Sequence, residues 1–192
     1  MKKTVLYLIL LAIFVQRVHA QDLRGIDKSP MDMAYFPDDF AHDIRFAPEK
    51  LEFDRAIIRV VYSRPAKNGR EVFGNMVPYG EVWRVGANEA PEIKFYEDVS
   101  LNGKKIKAGS YALLAIAGEK EWILILSKDV DQWGAYSYDK KDDVLRVKAS
   151  VTQLSNPIEN FTIQFEGKGK GKKEGIMKLA WDQTLVELPF TF

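Results

Sequence analysis

Near its end the chain alternates. Val186, Leu188, Phe190 and Phe192 are apolar, and Glu187, Pro189 and Thr191 separate them. The same two-residue period runs through Phe161, Ile163 and Phe165, with Thr162 and Gln164 between. Successive side chains of an extended strand point to opposite faces, so this spacing buries one face of a sheet and wets the other. No apolar stripe of period 3.6 is long enough for a substantial helix, and no segment repeats at a fixed interval. Shorter runs agree with a β chain. Ile57 to Tyr62 is β-branched and ends at Arg64-Pro65, and Asp143 to Val147 forms another extended run. Tyr111 to Ile116 and Trp122 to Leu126 are nearly continuous apolar runs around Gly118, the pattern of a central hairpin. Asn102-Gly103 is a hairpin turn signal, since both residues tolerate positive φ.

These features predict an all-β fold: a single antiparallel β-sandwich of about ten strands, jelly-roll or immunoglobulin-like in topology. The sandwich is expected over residues 51–192, after an irregular lead-in, residues 21–50, packed on it. Within the lead-in, Ser29-Pro30-Met31-Asp32 has the makings of a short helix start, with a serine cap and proline in the first turn. Gly167 to Lys173 alternates glycine and lysine. It lacks the Gly-x4-Gly-Lys-Ser/Thr spacing of a phosphate loop and reads as a basic hairpin loop.

The first twenty residues read as a secretory signal peptide. Lys2 and Lys3 precede an apolar run from Val5 to Val15, and Val18-His19-Ala20 supplies the small-residue cleavage pattern. The run is well short of the roughly 20 residues that span a bilayer. No cysteine follows it, so a lipid anchor is excluded. Cleavage before Gln21 removes Lys2, Lys3 and Arg17 and no acid. Of 28 basic and 27 acidic residues, 25 and 27 then remain, so the net charge moves from +1 to −2. A slightly acidic chain is a poor nucleic-acid binder. The expected location is periplasmic or secreted, with no stable membrane anchor after cleavage.

Composition narrows the chemistry. With no cysteine, disulfides, thiol catalysis and Cys-ligated metals are excluded. His42 is the sole histidine of the cleaved chain, which rules out a His-rich metal site and leaves almost nothing for a His-dependent triad, so no metal or cofactor is expected. What remains is carboxylates, arginine, amides and aromatics. The richest stretch is Gly74 to Pro91, in which Trp83, Arg84, Asn88 and Glu89 lie close together. Arg84 offers a planar fork for a carboxylate, phosphate or sugar hydroxyls. Trp83 suits stacking on a sugar ring, and Asn88 and Glu89 suit its hydroxyls. Trp133 and Tyr136, flanking Gly134, form a second cluster. These six residues are the candidate ligand-binding set. The plainer alternative has Trp83 in the core and Arg84 paired with Glu89. For a hydrolase or lyase, Glu81 and Glu89 are the nearest carboxylate pair, with Asp143 more distant.

Several segments resemble one known family. They are Tyr62-Ser63-Arg64-Pro65, Gly69 to Gly74, Val77 to Ala90, Ala108-Gly109-Ser110-Tyr111, Glu121-Trp122 and Gln132 to Tyr136. Their order is similar to that of the bacterial domain-of-unknown-function 2911 family, common in Bacteroidetes. The resemblance covers residues 28–192. One departure is Val85, where members often carry threonine. The resemblance implies a secreted or periplasmic protein and assigns no reaction, ligand or catalytic residue. Three roles follow from the residues themselves: a non-catalytic module for a small polar ligand or glycan, a structural or assembly protein of the cell envelope, and a carboxylate-dependent hydrolase or lyase.

Overall fold

A computed structural model describes residues 23–169 and 171–192. The expected signal peptide lies outside the described residues. Ten strands follow in chain order: β1 (Met31–Phe36), β2 (Ile58–Ser63), β3 (Val82–Trp83), β4 (Glu92–Phe95), β5 (Val99–Leu101), β6 (Lys104–Ile106), β7 (Gly109–Ile116), β8 (Glu121–Ser127), β9 (Asp143–Gly167) and β10 (Glu174–Thr191). All pair antiparallel, in the order β1-β2-β4-β7-β8-β9-β10-β5-β6, with β3 on β7. The fold is all-β, as the alternation requires, in one sheet that does not close. Its only α-helix among the described residues, α1 (Phe40–Phe46), has seven residues. Among those residues no helix is long and apolar enough to cross a membrane.

The sheet bends over because β9 and β10 are long. The start of β9 pairs with β8 through residues 143–150, and the remainder pairs with β10. The two halves thus face each other in a sandwich-like arrangement across one core, with Trp122, Leu124 and Leu126 from β8 and Phe161, Ile163 and Phe165 from β9. In β10 the buried positions are odd-numbered through Trp181 and even-numbered from Thr184 to Phe190. A bulge at Asp182, with φ of 51°, makes that switch and keeps both runs pointed inward.

The nearly continuous apolar runs of β7 and β8 have a physical cause. Leu113 and Ala115 face the main core, while Ala112, Leu114 and Ile125 face outward into a second cluster. Ala135 and Tyr138 of the loop after β8 cover that outer face. The loop is pinned where Tyr138 donates to Asp143 (2.8 Å) and Arg146 Nε donates to the same carboxylate (2.6 Å).

The lead-in departs from expectation. Ser29–Asp32 does not start a helix: Met31–Phe36 is strand β1, in register with β2 from Met31↔Ser63 to Phe36↔Ile58. Tertiary pairing outweighs the local capping signal, because β2 presents a free edge that β1 satisfies. Arg64, just beyond β2, fastens the lead-in to the second half of the sheet. It donates to Asp32 (2.9 Å), to the Phe161 carbonyl (3.1 Å) and to Thr162 Oγ1 (2.9 Å).

Candidate functional site

The loop from Arg84 to Glu89 turns sharply. Val85 has φ of 55°, Gly86 133° and Asn88 60°. Positive φ in a β-branched residue is rare and strained. Here packing holds it, since Val85 is fully buried. The turn drives alternate side chains apart. Trp83 and Val85 enter the core, and Arg84 stays half-buried beside them.

Trp83 is 9% exposed. Its ring lies 5.6–6.2 Å from those of Phe73, Trp122, Phe161 and Trp181 and is nearly parallel to Trp181, at 16°. It does not stand free as a stacking platform; it is a core tryptophan with one edge on a cleft. That cleft, about 210 Å³, is bounded by Trp83, Trp181, Arg70, Arg84, Ser29 and Met76, with Val77, Pro65, Gly86 and Ala87 completing it. Arg84 Nε is buried without a hydrogen-bond partner. Among the described residues the alternative Arg84–Glu89 ion pair does not form, and the two residues line different hollows. Glu89 is exposed, bridges in strand fashion to Trp133, and lines a different hollow with Glu92 and Asp131.

Trp133 and Tyr136 stand on the loop that covers β7 and β8, and they are 57% and 86% exposed. This loop meets the Arg84 loop through two backbone hydrogen bonds, Ala90 N–H to the Gln132 carbonyl (3.0 Å) and Gly134 N–H to the Asn88 carbonyl (2.9 Å). Gly134 lies between Tyr136 and the Arg84 stem: a Cβ there would be 2.9 Å from the Tyr136 ring and 3.9 Å from Arg84 Cδ. Trp133 is bridged to Glu89 instead, and the structure brings Arg84, Asn88 and Tyr136 to one rim. Trp83 lies beneath it, and the Glu89 side chain lies to the side. Glu81 is exposed and does not line the cleft.

Most of the cleft residues lie outside the candidate set, Trp181, Arg70 and Ser29 among them. Trp181 sits in a period-two run that reads only as core. Arg70 and Ser29 lie far from Arg84 in sequence, and only the folded path of the lead-in and of the loop after β2 brings them together. Ser29 is set by Asp27, whose carboxylate accepts from the Ser29 N–H (2.7 Å) and from Asn88 Nδ2 (3.1 Å).

The Ser29 N–H, and after it the Asn88 amide, hold the Asp27 pKa below the ordinary 3.8. A carboxyl with a depressed folded pKa contributes stability that is present above the unfolded value and lost as pH falls through the folded one. The clasp between lead-in and loop is thus expected to hold at neutral pH and to open only in acid below 3.8. In carboxyl-detected NMR titrations, Asp27 is expected to titrate below 3.8 in the wild type and closer to it in Asn88→Ala. Identical midpoints in the two proteins would show that the contact is absent in solution.

Fold and site together define a class of protein: all-β, built on one open sheet folded over on itself, with a small two-arginine cleft beside two exposed aromatic side chains. A family model described as "Protein of unknown function (DUF2911)" matches residues 47–190. The chain belongs to that family. The match leaves out β1, although β1 completes the sheet. Neither the curated proteins nor the solved structures contain a match.

Proposed function

We propose that this chain is a non-catalytic binding module for a small polar ligand or glycan, acting as a secreted or periplasmic protein. The observation that carries this reading is the junction at Gly134. There Arg84, with its unpartnered Nε, meets the loop that holds Trp133 and Tyr136 out in solvent. Exposed aromatic faces stack on sugar rings, and a guanidinium supplies directional donors beside them.

The test is a thermal-shift screen of residues 21–192 against sugars, envelope glycans, nucleotides and divalent ions. A ligand at 100 times its Kd adds about 2.7 kcal/mol, or roughly 5–11 °C for a chain of this size. Trp133→Ala and Tyr136→Ala are expected to abolish the shift while leaving the unliganded melting temperature within about 2 °C, because both rings are mostly exposed. A shift untouched by either substitution removes the rim from the binding surface.

A second reading, an assembly role in the envelope, draws on a different observation. Met31 and Met33 on edge strand β1, and Ile44 and Phe46 on α1, are all more than half exposed. Under that reading the protein self-associates or binds a partner along β1, and Met33→Lys reduces the association seen by sedimentation. No change on that substitution sets the assembly reading aside.

A further inference from the structure

We infer that the cleft beneath the rim takes an oxyanion, the carboxylate or phosphate end of an acidic ligand whose remainder lies on Tyr136. This deepens, and rests on, the binding reading above. Two guanidinium groups, Arg70 and Arg84, line the cleft with the Ser29 residue, and no aspartate or glutamate does. Neighbouring cations are differently placed. Lys67 is paired with Asp182, and Arg64 with Asp32.

Arg70 is held by neutral groups. Its Nε donates to the Lys67 carbonyl (2.7 Å) and its Nη2 to the Ala66 carbonyl (2.6 Å). Those acceptors fix the guanidinium in place and leave its charge intact. Arg84 Nε has no acceptor at all. A buried donor without an acceptor is costly, and the cost rises beside a charge. An anionic oxygen entering the cleft meets two guanidinium groups with no carboxylate between them and supplies their missing countercharge.

The walls favour the same ligand. Trp83, Trp181, Met76 and Val77 are apolar, and beside such walls a charge-assisted hydrogen bond is stronger than in bulk water. The cleft, about 210 Å³, is smaller than the roughly 300–1,000 Å³ of sites that enclose a whole drug-sized ligand. It accommodates one end of a molecule, and Tyr136, across Gly134 from Arg84, is placed for the rest.

The experiment is calorimetric titration of residues 21–192 at low ionic strength with inorganic phosphate, benzoate, glucuronate and, as the neutral match to glucuronate, glucose. Glucuronate is expected to bind at least about tenfold more tightly than glucose, the scale of one charge-assisted hydrogen bond. Phosphate against benzoate decides between the two oxyanions. Arg84→Gln is expected to remove the preference for glucuronate, and Arg84→Lys, which keeps charge but not the fork, to restore part of it. Ser29→Ala, at a half-buried position outside the sheet strands, is a second variant expected to weaken anion binding if Arg84→Gln fails to fold. Glucose binding as well as glucuronate, with no effect of Arg84→Gln, overturns the oxyanion assignment and leaves the binding module standing. No binding of any probe here overturns the oxyanion assignment, and no binding in the wider screen as well overturns both.

Discussion

Trp83→Ala is expected to lower the melting temperature by roughly 6–20 °C. The figure follows from the cost of truncating a buried tryptophan, about 3–5 kcal/mol, and about 2–4 °C per kcal/mol in a domain of this size. The loss is large because Trp83 packs against rings from both halves of the folded sheet. Its strand, β3, pairs with β7. Its ring meets Trp122 of β8, Phe161 of β9 and Trp181 of β10. Removing it leaves a cavity between the two halves of the folded sheet, and four large rings around it cannot all move in to fill the space. Trp133→Ala is the matched control, since it deletes the same side chain from a site that is 57% exposed. Calorimetric melts of both variants decide the matter. Equal shifts for the two would mean that Trp83 does not hold the core together.

The two tryptophans also show where sequence stops informing. Trp83 and Trp133 have similar neighbours in the chain, each next to glycine, arginine or amide residues within a few positions. Their opposite fates depend on which strand lies across from them. The period-two runs at 161–165 and 186–192 were legible as strands because alternation is a local property of an extended chain. So was the Asn102-Gly103 turn, whose residues adopt φ of 45° and 81°. Strand β1 was not legible, because its partner β2 lies more than twenty residues away and the local signal at Ser29–Asp32 favours a helix start. The middle of β9 was hidden for a related reason. Residues 152–160 are largely exposed and include Pro157, and between Asp182↔Ile158 and Thr184↔Gln153 the ladder to β10 is broken. A strand with little to bury shows little pattern. The rim followed from composition, as arginine, amide and aromatics gathered in two short segments. The cleft did not, because Ser29, Arg70 and Trp181 come from three distant parts of the chain.

Gly86→Ala is expected to be the most disruptive single change at the loop itself, and its cost has two separable parts. The first is conformational. Gly86 has φ of 133°, a region that L side chains rarely enter, at about 1–3 kcal/mol. The second is contact. An added Cβ would lie 2.9 Å from the Ser63 carbonyl oxygen, a backbone atom at the buried end of β2. Relieving that contact means moving β2 or the loop, and overpacking of this kind typically costs about 1–3 kcal/mol more. Gly80→Ala separates the parts. Gly80 also has positive φ, 82°, yet nothing lies within 4 Å of its added Cβ. It is expected to show the conformational cost alone, so denaturant titrations should rank Gly86→Ala as the costlier by about 1–3 kcal/mol. Gly86 also follows Val85, whose own φ of 55° is tolerated only because the surrounding core fixes it. Displacing Gly86 therefore moves Arg84 off the cleft, and Gly86→Ala is expected to lose glucuronate binding even at temperatures where it remains folded. Equal costs for the two alanines would mean that β2 and the loop are not closely packed at Ser63. The rigid placement of Arg84 would then need another cause.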